Sequence, residues 1–213
     1  MSATARKQGP ISRSQSQART REALLDAAEI LILEQSIPGM SLRAVCTQAG
    51  FSQGAFYSNF ANREELLLAV MERNLEQKAR SLEEMLSNCR NGDINETLEA
   101  VVGWLDTISH RSTWARMAIE LRLHATRDAL FARKLEAAQT RVDQRFGSHI
   151  GGLVDRFGLT PRLPPEQIAL ALLMLWRGMA LQASSAHPSA RTAGDGLPVV
   201  FAVCLRGLLG VPQ

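Results

Sequence analysis

Residues 41–63 read SLRAVCTQAGFSQGAFYSNFANR, and this stretch decides the fold. Ser41 is a good N-cap for a short helix over Leu42–Gln48, since its hydroxyl can take an amide N–H that the first helical turn leaves unpaired. Gly50 then allows the positive φ of a tight turn. Ser52 caps a second short helix, Gln53–Phe60. Two short helices joined by a four-residue turn are the helix-turn-helix arrangement. Val45, Phe51, Phe56 and Phe60 supply an apolar wedge, and the small Cys46 lets the second helix approach closely. Gln53, Gly54, Tyr57, Ser58 and Asn59 are left for the outer face. At about 1.5 Å per residue the second helix is roughly 10 Å long, which suits end-on entry into a major groove about 12 Å wide.

Outward from this stretch the chain reads as helical nearly throughout. Leu24, Ala27, Ala28 and Leu31 recur at helical spacing, predicting a first helix over 18–35 that Pro38-Gly39 stops. Asn62 followed by Glu65 resembles a capping box and opens a helix over 62–88. Three further apolar faces follow between Ile94 and Phe157, the last one interrupted by Gly147, Gly151 and Gly152, which weaken a helix. Residues 166–183 are apolar almost all round, and Pro198 starts a last helix to about Leu209. There is no strand alternation and no repeat. The expected fold is all-α, with about nine helices in two parts.

Composition limits the rest. With 46% hydrophobic and 21% charged residues, the 213-residue chain can bury a core without disulfides or metal. The longest strictly apolar run, Ile168–Trp176, is about half of the roughly 20 residues that a membrane helix needs. No apolar run follows Arg6, Lys7 and Arg13, so a secretory signal is not expected and the cytoplasm is. Cys46, Cys89 and Cys204 are odd in number and far apart, and form no disulfide framework. The net charge of +3 lies wholly within residues 1–63, and residues 1–21 are +5 without one acid. A basic arm before a folded unit is a footprint of nucleic-acid binding, and a solvated tail is the plain alternative. His110, His124, His149 and His187 are too dispersed for a metal signature, and no P-loop, GxGxxG, GxSxG or HExxH is present. No catalytic residue, metal site or cofactor is expected.

The segments RTREALLDAAEILILEQ, SLRAVCTQAGFSQGAFYSNF and ANREELL, in this order and spacing, resemble the TetR family of bacterial transcriptional regulators over residues 19–70. Cys46, Asn59 and Arg63 depart from that family's usual Ala, His and Lys. The resemblance implies a disordered basic arm (1–17), a DNA-binding domain (18–63) and a helical ligand-binding and dimerisation domain (64–213). It implies phosphate contacts from Ser52, Tyr57 and Arg63, close backbone approach at Gly54, and contacts from Ser41 and Arg43 to the flanking strand. Gln53, Ser58 and Asn59 are the expected base readers, since Gln and Asn pair well with adenine edges. Arg19 and Arg21 reach for the neighbouring groove or stay solvated.

The resemblance further implies a homodimer through the last two helices, about 165–183 and 197–209, on a near-palindromic double-stranded DNA operator. Ala169, Leu172, Leu173, Trp176, Val200, Phe201, Val203 and Cys204 are its expected apolar faces. A small-molecule effector is expected among Trp104, Trp114, Met117, Glu120, Leu121, His124, Met174 and Met179, where the aromatics together with Glu120 suit a hydrophobic or cationic compound. The same residues at helical spacing also fit plain core. The expected function is a ligand-released repressor. An activator or co-repressed regulator of the same fold is the alternative, and an all-helical enzyme or carrier with an idle helix-turn-helix is a third.

Overall fold

The computed structural model describes residues 12–89, 92–109, 113–183 and 197–211, with nine helices and no strand among them. It divides into two compact units, up to Val70 and from Met71 on. The expected arm 1–17 falls largely outside the described residues. Its last five residues, however, are helical.

In the first unit, α1 (Arg13–Gly39) starts five residues before the expected position. Ser12 and Gln15 form a full capping box: the Ser12 hydroxyl accepts the Gln15 amide at 3.2 Å, and the Gln15 side chain accepts the Ser12 amide at 3.0 Å. The helix breaks at Ser36, whose φ of 58° and ψ of 169° are non-helical. Pro38, two residues on, has no amide for the Glu34 carbonyl, and its ring clashes with that carbonyl in a continuous helix. α2 (Leu42–Ala49) has the expected Ser41 cap, with the Ala44 amide 3.1 Å from the hydroxyl. It ends at Gly50 with φ 73°. There the Phe51 amide reaches back to the Cys46 carbonyl and the Gly50 amide to the Thr47 carbonyl, a Schellman closure. α3 (Gln53–Tyr57) is capped by Ser52 but is shorter than expected, since Ser58 and Asn59 form a turn. Leu24, Ala28, Val45, Phe56 and Phe60 are the centre of this core, whereas Phe51 is only half-buried.

α4 (Arg63–Asn88) begins in the first unit and gives its residues from Met71 on to the second. Its start departs slightly from a capping box. The Glu65 amide donates to Asn62 Oδ1 at 2.8 Å, but the Glu65 carboxylate accepts the Ala61 amide, one residue earlier than the box requires.

The second unit adds α5 (Ile94–Ser109), α6 (Thr113–Ala125), α7 (Ala129–Phe157), α8 (Pro165–Ala183) and α9 (Leu197–Leu209). α7 stays helical through its three glycines. Gly147 has a packing reason: a Cβ there would lie 3.1 Å from Glu166 Cα at the start of α8. Glu72 and Glu76 of α4 pair with Arg141 and Arg145 of α7, and Arg145 also holds Glu83. The pairing order makes the two helices run parallel here.

The apolar residues of α8 and α9 divide into two sets. Ala169, Leu172, Trp176 and Phe201 are buried within the unit, where the sequence reading had put them on a partner-facing surface. Leu170, Met174, Val199, Val200 and Val203 are instead exposed, Val203 at 65%. No described helix is long and apolar enough to cross a membrane.

Candidate nucleic-acid interface and ligand cavity

α2 and α3 each bury one side and expose the other. Ser41, Arg43, Ser52, Gln53, Gly54, Tyr57 and Ser58 are all exposed. Tyr57 is not a core aromatic: its side chain is 59% exposed, with its ring edge-on to Phe56 at 5.4 Å. Gly54 is in ordinary helical conformation, and a Cβ built on it would meet nothing closer than Ser52 Oγ at 3.7 Å. The chain's own packing therefore tolerates a side chain at position 54. Ser58 Oγ donates back to the Gly54 carbonyl, and Ser41 and Ser52 use their hydroxyls as caps, which fixes where these polar groups lie.

Two residues expected on this surface are engaged inside the unit. Asn59 is half-buried and turns its amide NH₂ to the Ala55 carbonyl at 2.8 Å, closing the end of α3. Arg63 donates to the Ile37 carbonyl and so ties the start of α4 to the end of α1. Arg21 likewise does not extend outward. It donates to the Asn59 carbonyl at 3.0 Å and lies 4.3 Å over the Phe60 ring. Gln17 donates to the Ser58 carbonyl at 3.1 Å. Gln17 and Arg21 thus satisfy carbonyls that the end of a helix leaves unpaired. The sequence carried a signal for this: Gln17, Arg21, Leu24 and Ala28 lie on one helical stripe, so the two polar residues continue an apolar face. Cys46 is buried, and burial pushes its thiol pKa up, which makes it inert packing.

The second unit holds a cavity of about 80 Å³ among α4, α5, α7, α8 and α9. Leu82, Trp104, Phe146, Leu172, Trp176 and Phe201 are on its wall, with Lys78 and His149 as the ionisable members among the described residues. Of the expected ligand residues whose side chains are described, only Trp104 lines it. Met117 and Leu121 are fully buried core, and Met174 is 59% exposed. Glu120 and His124 are off this wall, and His124 packs its ring against Phe131 at 4.8 Å. The side chains of Trp114 and Met179 lie outside the described residues. The error is one of helix phase. Leu172, Leu173 and Trp176 turn inward, and that sends Met174 out. His149 Nε2 is buried without a hydrogen-bond partner, 3.5 Å from Glu83 Oε1. Burial lowers its pKa, and the Glu83 carboxylate opposes the shift. Among the described residues no group of three or more His, Cys, Asp or Glu could hold a metal ion.

Residues 24–70 match the family model of bacterial regulatory proteins, tetR family. Over 106 residues the chain is 24% identical to the uncharacterized HTH-type transcriptional regulator YwcC of Bacillus subtilis (strain 168). The match spans 50% of this chain and 39% of that relative. Among solved structures, a TetR transcription regulator from Haloarcula marismortui superposes with a TM-score of 0.71 at 15% identity, covering 90% of this chain and 99% of that one. FadR from Bacillus subtilis, solved in complex with stearoyl-CoA, gives 0.66 at 15% identity, with 90% and 99% covered. Residues 24–70 are thus similar to the tetR family of bacterial regulatory proteins, and the fold over nine-tenths of the chain is that of solved regulators such as these.

Proposed function

We propose that the protein is a homodimeric, effector-released transcriptional repressor that binds a near-palindromic DNA operator in the cytoplasm. The observation that carries the DNA reading is Gly54. The chain has room for a Cβ there, yet the position is bare in the middle of an exposed polar row. A bare backbone between Gln53 and Tyr57 suits close approach to a phosphate, with Tyr57, Ser52 and Arg43 as positioning groups and Gln53 and Ser58 at base edges. Asn59 and Arg63 take a smaller part, because the unit already uses their side chains. The dimer reading is supported by the exposed Met174, Val199 and Val203, an apolar face that a second copy would cover. A twofold dimer sets two half-sites about one helical turn apart. The effector reading is supported by the apolar cavity. By linkage, an effector that weakens operator binding must itself bind more weakly to the operator complex.

Selection of binding sites from a random DNA pool at near-physiological salt tests this. The expected result is a palindromic consensus, and no enrichment overturns it. Gly54→Ala sharpens the test: it should leave the fold intact or stabilise it by up to about 1 kcal/mol, since Ala favours helix. Operator affinity should nevertheless fall. Retained affinity would show that nothing approaches the backbone there. A reporter assay with and without the gene separates repression from activation.

A further inference from the structure

The first two turns of α1 add nothing to the core. Residues 12–19 are all exposed, and Thr20 is the first buried residue of the helix. Ordering a helical segment costs conformational entropy that burial normally offsets. Here the Ser12–Gln15 capping box and the Gln17 bond to the Ser58 carbonyl hold the segment instead. The same bond fixes where it points. Arg21 holds the Asn59 carbonyl, Gln17 one turn earlier holds the Ser58 carbonyl, and Arg13 is one turn earlier again. Residues four apart share a helical face, so Arg13 continues the stripe that faces the end of α3. It stands about 6 Å further along the axis than Gln17. Helical side chains lean toward the helix start, which aims Arg13 past Ser58 and away from the core. Ser58 closes the exposed polar row of α2 and α3, and Arg13 extends that row onto a third helix.

The charge is poorly placed for the free protein. Residues 1–21 hold no acid, and none stands in the first turn of α1. A cation there meets the positive end of the helix dipole, and a bound anion relieves that repulsion. Arg19 gives the contrast. It is two residues from both Gln17 and Arg21 and so falls on the opposite side of the helix from their stripe. The sequence had pointed to Arg19 and Arg21 for the neighbouring groove, and the geometry points to Arg13.

We propose that Arg13 binds a DNA phosphate beside the bases that α3 reads, once in each half-site. The proposal rests on the reading of the α2–α3 face as a DNA interface and adds a third helix to it. DNA is the partner that fits, because an acid-free, basic segment runs on from that face. A guanidinium also forks onto phosphate oxygens. The contact positions the protein without selecting sequence.

Binding of the full chain to the selected operator and to a random-sequence duplex, followed by fluorescence anisotropy across a salt series, tests this. Arg13→Ala should flatten the salt slope on both duplexes by about one unit for each copy of the chain bound. Arg13→Lys should keep most of the slope, and Arg19→Ala should leave it near that of the unchanged protein. Melting temperature and helix content should not fall in Arg13→Ala, since Ala favours helix. Ethylation of single phosphates locates the contact. One phosphate in each half-site should weaken binding of the unchanged protein when ethylated and cease to matter for Arg13→Ala. A slope indifferent to Arg13→Ala overturns the proposal. So does an equal effect of Arg19→Ala, or an ethylation pattern that Arg13→Ala leaves unaltered. A palindromic consensus together with any of these overturns the Arg13 contact alone. An Arg13-dependent slope on random duplex without a consensus overturns the operator reading alone, and no DNA binding at all overturns both.

Discussion

In the helix-turn-helix, the contacts that set the backbone are short in sequence: Ser41 to Ala44, Ser52 to Ala55, Phe51 to Cys46. In the cavity, wall residues run from Leu75 to Leu205 and come from five helices. The first is a local construction in which each cap and turn needs a particular residue type within a few positions. The second exists only because five helices adopt particular rotations. A helix turned by one residue replaces one apolar side chain with another of similar character, so many sequences read alike while lining different cavities. The contrast teaches where residue types carry information and where only phase does.

The strongest way to break the comparison is to damage one core and watch the other. Phe56 is fully buried in the first unit, and Phe56→Ala should cost about 3–5 kcal/mol. Operator binding should be lost while the second unit keeps its own melting transition. A parallel loss of both in calorimetry would mean that the two cores do not fold separately.

A smaller effect is expected from Gln53→Ala, which removes an exposed side chain. Selected sites should relax at one position in each half-site, at a cost of about 1–3 kcal/mol on the best operator, with an unchanged melting temperature. An unchanged consensus would move base readout to other residues.

Two arginines sharpen the contrast between structure and surface. Arg63→Ala removes the bond to the Ile37 carbonyl and should lower stability by about 1–2 kcal/mol, with little change in the salt dependence of DNA binding. Arg43 is exposed, and Arg43→Ala should leave the melting temperature alone and flatten the salt slope by about one unit. The opposite pattern would restore the phosphate role that the sequence suggested for Arg63.

The smallest effect is a pH dependence in the second unit. Burial lowers the His149 pKa, so the unfolded chain binds a proton that the folded one resists. Stability from this group is complete above about pH 6.5, the ordinary value, and declines as pH falls from there toward the lower folded pKa. His149→Gln should flatten that limb of the melting curve. Glu76 has its pKa lowered, first by its bond to Arg80, and its loss of stability lies lower, in the carboxylate range. It should remain in the variant. A slope near pH 6.5 that survives the substitution would assign the titration to another group.

Much of the first unit was legible because its signals are chemical and local. Ser41, Gly50 and Ser52 each have one obvious job, and each does it. What escaped was the use of long polar side chains: Arg21, Asn59 and Arg63 look like surface groups until the carbonyls they satisfy are in place. The helix count and the apolar character of α8 were legible in the second unit. The cavity was not, because Trp104, Met117 and Met174 are equally apolar in sequence and differ only in which way they turn.

α3 has five residues, too few to hold a helix alone. The carbonyls of the turn that closes it, at Ser58 and Asn59, are taken by Gln17 and Arg21 from behind. The outer face is therefore a borrowed shape. On the proposed reading, substitutions at positions 17 and 21 should shift DNA specificity with every outward residue of α3 unchanged. A comparison of specificities restricted to the exposed row would miss the cause.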